Sequence, residues 1–145
     1  MNHFASWLLS TLAILQLTAC APPDFGVKPC ELGDRIGFKI IPLDGWFRDY
    51  VPRPHSISVW AVSKQSYEEV LMWEAEMSYN DIYDREYDDA RPRRQLIVYG
   101  QNIAGWKLLF PPIKLSLRQT YKVRIEDGFY SGQADFELGK PMPVC

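Results

Sequence analysis

Near the C-terminal end of the chain, apolar and polar residues alternate with period two. Tyr121, Val123 and Ile125 interleave with Lys122, Arg124 and Glu126, and Asp127-Gly128 follows. Neighbouring side chains of a strand point to opposite faces, so this is the pattern of a half-buried strand, and Asp-Gly is a strong signal for a two-residue hairpin turn. With Asp127-Gly128 as the loop, a hairpin over 119–138 places Ile125 opposite Tyr130, Val123 opposite Gly132 and Tyr121 opposite Ala134. Phe136 and Leu138 continue the inner face, and Arg118 faces Glu137 on the outside.

The same alternation predicts earlier strands. Ile36, Phe38 and Ile40 make one, Ile57, Val59 and Ala61 a second, and Leu96 and Val98 a third. Trp106 to Phe110, closed by Pro111-Pro112, reads as a short or edge strand. Residues 67–77, YEEVLMWEAEM, fit two patterns: Leu71, Trp73 and Ala75 share a strand face, whereas Ser66 and Glu69 have the spacing of a helical capping box. The helical face would bury Glu74 beside Val70, Leu71 and Met77, so strand is the better reading.

One segment carries a fold-level motif. In LSLRQTYKVRI, Leu115 precedes Tyr121 by six residues, which resembles the tyrosine corner of fibronectin type III and other immunoglobulin-like domains. There, a tyrosine at the start of a core strand buries its ring while its hydroxyl bonds backbone at the turn. The usual Pro-Gly turn is replaced here by Leu117-Arg118-Gln119. The resemblance implies an all-β fold, a small immunoglobulin-like antiparallel sandwich of about seven strands.

The first residues follow neither periodicity. Positions 4–17, FASWLLSTLAILQL, hold ten apolar residues in fourteen and no charge, too short for a spanning helix and right for a secretory apolar region. The run ends in Leu17-Thr18-Ala19-Cys20, which resembles the lipobox of bacterial lipoproteins, although Met1-Asn2-His3 lacks the usual basic residue. The resemblance implies a signal peptide over 1–19, removed on export, and a fatty-acylated Cys20. Ala21 after the cysteine implies outer-membrane delivery, periplasm-facing, with the lipid as the contact to the membrane. Residues 20–29 are then the lipidated cysteine and a proline-rich extended tether, APPDFGVKP following Cys20, and 30–145 the sandwich domain.

Charge adds little. Sixteen basic and eighteen acidic residues give a formal net charge of −2, without the basic excess that nucleic-acid binding requires. Of three cysteines, setting Cys20 aside leaves Cys30 and Cys145, an even pair that in an exported domain reads as a disulfide closing nearly the whole domain. It would bring the C-terminal tail beside the entry strand.

Candidate chemistry is sparse. His55, in VPRPHS, reads as a solvated loop histidine, with no second histidine in the exported chain to build a triad or a zinc site. The stretch GQNIAG, from Gly100 to Gly105, lacks the Lys-Ser/Thr of a phosphate loop. Between 68 and 89 stand nine carboxylates (Glu68, Glu69, Glu74, Glu76, Asp81, Asp84, Glu86, Asp88, Asp89) against Arg85 alone, followed by Arg91, Arg93 and Arg94. This reads first as a solvated loop. Asp81, Asp84, Glu86 and Asp88 are a calcium option without the spacing of a dedicated loop, and paired carboxylates are what glycoside hydrolysis uses. Trp46, Phe47 and Tyr50 crowd a turn-bounded loop, DGWFRDY, and Tyr79, Tyr83 and Tyr87 recur inside the acidic run. Trp46, Phe47 and Tyr50 are the candidate partner contact.

The functional expectation is a non-catalytic, outer-membrane-anchored lipoprotein that binds or assembles with an envelope protein or glycan and uses no cofactor. Two alternatives stand beside it. One is an accessory lipoprotein of a secretion machine, by analogy with small lipid-anchored sandwiches resembling transthyretin. The other is a glycan hydrolase working through carboxylates of 68–89.

Overall fold

The computed structural model describes residues 25–42, 52–77, 95–128 and 130–145. They form eight strands and no helix: β1 Gly26–Leu32, β2 Arg35–Ile41, β3 Ser56–Val62, β4 Glu69–Met77, β5 Leu96–Val98, β6 Trp106–Phe110, β7 Thr120–Asp127 and β8 Tyr130–Glu137. One sheet has the order β1-β2-β5 and the other β6-β4-β3-β7-β8, and every strand pair is antiparallel. The fold is a small antiparallel β-sandwich. First, second and fifth strands pair in one sheet while third, seventh and eighth run side by side in the other. Strands β4 and β6 widen the second sheet beyond β3.

The core lies between the sheets. Phe38 and Ile40 of β2 and Ile97 of β5 meet Ile57 and Val59 of β3, Trp73 and Ala75 of β4, and Tyr121, Val123 and Ile125 of β7. Phe136 of β8 joins the layers, its ring 5.5 Å from that of Phe38 and stacked at 5.3 Å on that of Tyr121. Tyr99, just after β5, meets Trp73 edge-on at 5.4 Å, and its hydroxyl lies 2.7 Å from the Ile113 carbonyl and 3.0 Å from that of Met72.

The last hairpin forms with the expected inner face but a different register. Ile125 faces Gly132, Val123 faces Ala134 and Tyr121 faces Phe136, two residues along from the pairing set by an Asp127-Gly128 loop. Asp127 stays in the strand opposite Tyr130, where its carboxylate accepts the Arg53 N–H at 2.8 Å. Gly128 therefore takes the first loop position with φ 66°, the positive value that primed hairpin turns need there. Because the shift is even, no side chain changes face. Glu137 consequently faces Thr120 rather than Arg118, and its carboxylate receives Lys64 and Lys140, each at 3.0 Å.

Residues 67–77 contribute a strand, with one change of phase. Val59 pairs with Trp73 and Trp60 with Leu71, so Met72 is a bulge. Trp73, Ala75 and Met77 face the core, whereas Leu71 leaves their face because the extra residue reverses the alternation. The capping box does not form. Ser66 Oγ instead donates to Glu68 at 3.1 Å, and Glu69 pairs across the sheet with Lys122 and Arg124. In β5 the fully buried residue is Ile97, with Val98 also buried and Leu96 at the margin, so its inner residue is not the one that alternation selected.

The segment expected to be tether already belongs to the sandwich from Phe25 onward. Phe25 is buried and Gly26 to Pro29 are the first half of β1. Pro29 is tolerated because β1 is the outermost strand of its sheet.

Candidate functional site

Cys30 and Cys145 are joined, with Cα atoms 5.0 Å apart. Pro143 to Cys145 run parallel beside β1: the Glu31 N–H donates to the Pro143 carbonyl at 2.8 Å, and the Cys145 N–H to the Glu31 carbonyl at 2.9 Å. The tail thus sits beside the entry strand and satisfies backbone groups that an edge would leave open.

The sandwich has two distinct ends. At the entry end lie Phe25, the β7-β8 turn and the segment from Pro52 to His55. His55 is not a free loop histidine: its Nδ1 accepts the Gly128 N–H at 2.8 Å, its N–H donates to Glu126 and its carbonyl accepts from Met77. It clasps the hairpin turn to β3 and β4. The described residues flanking 43–51 and 78–94, among them Ile41, Met77 and Leu96, also lie at this end.

The opposite end is built around the corner. Tyr121, 1% exposed, accepts the Ser116 N–H at 2.7 Å on its hydroxyl oxygen, which lies 3.3 Å from the Ser116 carbonyl. This pins the turn Leu117-Arg118-Gln119 against the start of β7, and the Arg118 N–H donates to the Leu138 carbonyl at 2.8 Å. Facing it is the β3-β4 turn. Ser63 organises that turn, its Oγ accepting the N–H groups of Gln65 and Ser66 and its own N–H donating to Glu68. Gln119 crosses between the two turns, its amide donating to the Val62 carbonyl at 2.8 Å.

Between the two turns runs a groove of about 350 Å³, with Ala61, Val62 and Val70 as its apolar lining and Lys64, Glu68 and Arg118 as its charged groups. Lys64 is committed to Glu137, and Glu68 to Ser66. Arg118 makes no ion pair among the described residues. Tyr67, Leu117 and Val70 stand 86%, 75% and 59% exposed around this groove, a concentration of apolar surface that water disfavours. Among the described residues the only non-glycine positions with positive φ are Tyr67 (56°) and Arg118 (63°), one in each turn. Each left-handed residue costs roughly 1–2 kcal/mol, and such strain gathers where a surface is shaped for contact. The groove combines an apolar lining with a guanidinium that makes no ion pair among the described residues.

The chain matches no family model, no curated protein and no solved structure.

Of the site residues read from sequence, Cys30 and Cys145 come together, while Cys20, Trp46, Phe47, Tyr50, Asp81, Asp84, Glu86 and Asp88 lie outside the described residues. Among the described residues no group of three His, Cys, Asp or Glu side chains gathers as metal ligands would. The groove was not anticipated. Its trace in the sequence is the corner turn itself, where Arg118 occupies a left-handed position in a turn that in the resembled family carries a glycine.

Proposed function

We propose that the protein is a non-catalytic binding or assembly module of the bacterial outer membrane, anchored through an acylated Cys20 and presenting its far-end groove to an envelope partner in the periplasm. The observation that supports this reading is the position of the groove relative to the chain's entry. Phe25, five positions after Cys20, is already buried in the core, so the link is only Ala21 to Asp24. At roughly 3.3–3.6 Å per residue it reaches less than about 20 Å, which holds the entry end at the membrane and turns Tyr67, Leu117 and Arg118 away from it.

Two measurements test this in cells. Detergent phase partitioning of wild type against Cys20→Ser checks the anchor, with the variant leaving the detergent phase. Photo-crosslinking from position 67 or 117, compared with position 131 at the entry end, checks the polarity. Protein or glycan adducts are expected from 67 and 117 and lipid adducts from 131; the reverse distribution overturns the reading.

A further inference from the structure

The far-end groove holds two opposite charges that the described residues leave without an ionic partner. Other charged side chains on its two turns and on the strand ends beside them are matched inside the fold: Lys64 and Lys140 meet Glu137, and Lys122 and Arg124 meet Glu69. Glu68 and Arg118 are not. Glu68, on the β3-β4 turn, has the Ser66 hydroxyl at 3.1 Å and no cation, and Arg118, on the corner turn, has no carboxylate. Both line the groove, one on each wall, without pairing to each other, and Ala61, Val62 and Val70 supply its apolar surface. Gln65 and Thr120 add an amide and a hydroxyl whose side-chain atoms make no hydrogen bond among the described residues.

We infer that this groove binds a short peptide with both ends free, its ammonium against Glu68 and its carboxylate against Arg118. The inference rests on the reading that the groove is the module's contact surface, and it names the chemistry that surface takes up. Charge selects the class. An anionic ligand would meet Arg118 and be repelled by Glu68, and a cationic one the reverse, whereas a molecule with an ammonium at one end and a carboxylate at the other is attracted at both. Size narrows it further. At about 350 Å³ the groove is near the lower end of small-molecule sites, roughly 300–1,000 Å³, which suits a few residues of peptide and not a folded partner. Ala61, Val62 and Val70 favour small aliphatic side chains, and Gln65 and Thr120 can bond the peptide amides. Both walls are held before binding: Ser63 Oγ accepts two N–H groups within its turn, and Tyr121 pins the corner, so little of the ordering cost falls on the protein.

The test uses the full chain and the tripeptide alanyl-valyl-alanine in four forms: both ends free, N-acetylated, C-amidated and doubly blocked. Titration followed by amide NMR should show saturable binding of the free-ended form, with shifts gathered at Val62, Val70 and Gln119. Each single block should weaken binding by about threefold or more, the loss expected for an exposed ion pair. Arg118→Gln should make binding indifferent to amidation while acetylation still weakens it, and Glu68→Gln should do the reverse; both positions are exposed, so the fold is not at stake. Binding of the doubly blocked form as tight as the free-ended one, shifts gathered elsewhere, or no saturation overturns the inference. If that happens while crosslinks from 67 and 117 still reach protein or glycan, the ligand is wrong and the far-end reading stands; lipid adducts from 67 and 117 overturn both.

Discussion

A Cβ placed on Gly132 would stand 2.5 Å from the ring of Phe25 and 2.7 Å from its backbone carbonyl. The glycine is there for space, not for an unusual dihedral. It lets Phe25, just ahead of β1, lie on β8, so the two sheets are joined at the entry end by a contact that no side chain could share.

Gly132→Ala should therefore lower stability by about 1–3 kcal/mol, the usual cost of overpacking a closed core, because a backbone atom as well as a ring must move. Chemical denaturation checks this. An unchanged midpoint would mean that β1 does not start on β8.

Tyr121→Phe should cost roughly 1–3 kcal/mol although the volume barely changes, since it strips the Ser116 N–H of its acceptor. Tyr67→Phe, at a hydroxyl on an exposed ring, should be silent in the same assay.

Breaking the Cys30–Cys145 bond with Cys145→Ser should cost about 2–5 kcal/mol and speed amide exchange at Glu31 and at residue 145, whose bonds hold the tail. Gly37 lies beneath the bridge, where a Cβ would come 2.7 Å from Cys145 Sγ. Gly37→Ala should therefore destabilise the oxidised protein more than the reduced one.

Burial pushes the Tyr99 phenol up to about 12 from an ordinary value of 10. The folded chain keeps a proton that the unfolded chain gives up first, so this stabilisation is complete below pH 10 and is lost as pH rises toward 12. Tyr99→Phe should lower stability at neutral pH, through loss of the hydroxyl's contacts to the Met72 and Ile113 carbonyls, yet flatten this alkaline decline. Denaturant midpoints measured from pH 8 to 11 on both proteins separate the two effects.

Arg118→Gly should raise stability by about 0.5–1 kcal/mol, because glycine adopts the left-handed conformation without strain. The same change should reduce crosslinking from the far-end groove. A variant that loses stability would show that the arginine side chain, rather than function, maintains the strained turn.

What the sequence discloses depends on whether a feature is written in side-chain pattern or in backbone geometry. The faces of β2, β3 and β7 were legible because apolar residues alternate there, and the corner because a buried tyrosine needs a backbone partner at fixed spacing. The hairpin register was not, since two pairings that differ by an even step put the same residues inside; Arg53 holding Asp127 in the strand decides between them. The bulge at Met72 was invisible for a related reason: a run as apolar as Val70 to Trp73 reads equally well in either phase. The groove depends on two turns brought together by Gln119, and neither turn announces the other.

The disulfide also decides how the domain responds to force. Everything from Cys30 to Cys145 belongs to one covalent ring, so a pull between the chain ahead of Phe25 and the end of the tail can draw out only residues 25–29 before the load passes to the sulfur–sulfur bond. The sheets inside the ring are shielded from that load. A pull applied between those two ends would lengthen the chain by only these few residues, with the far-end groove keeping its shape.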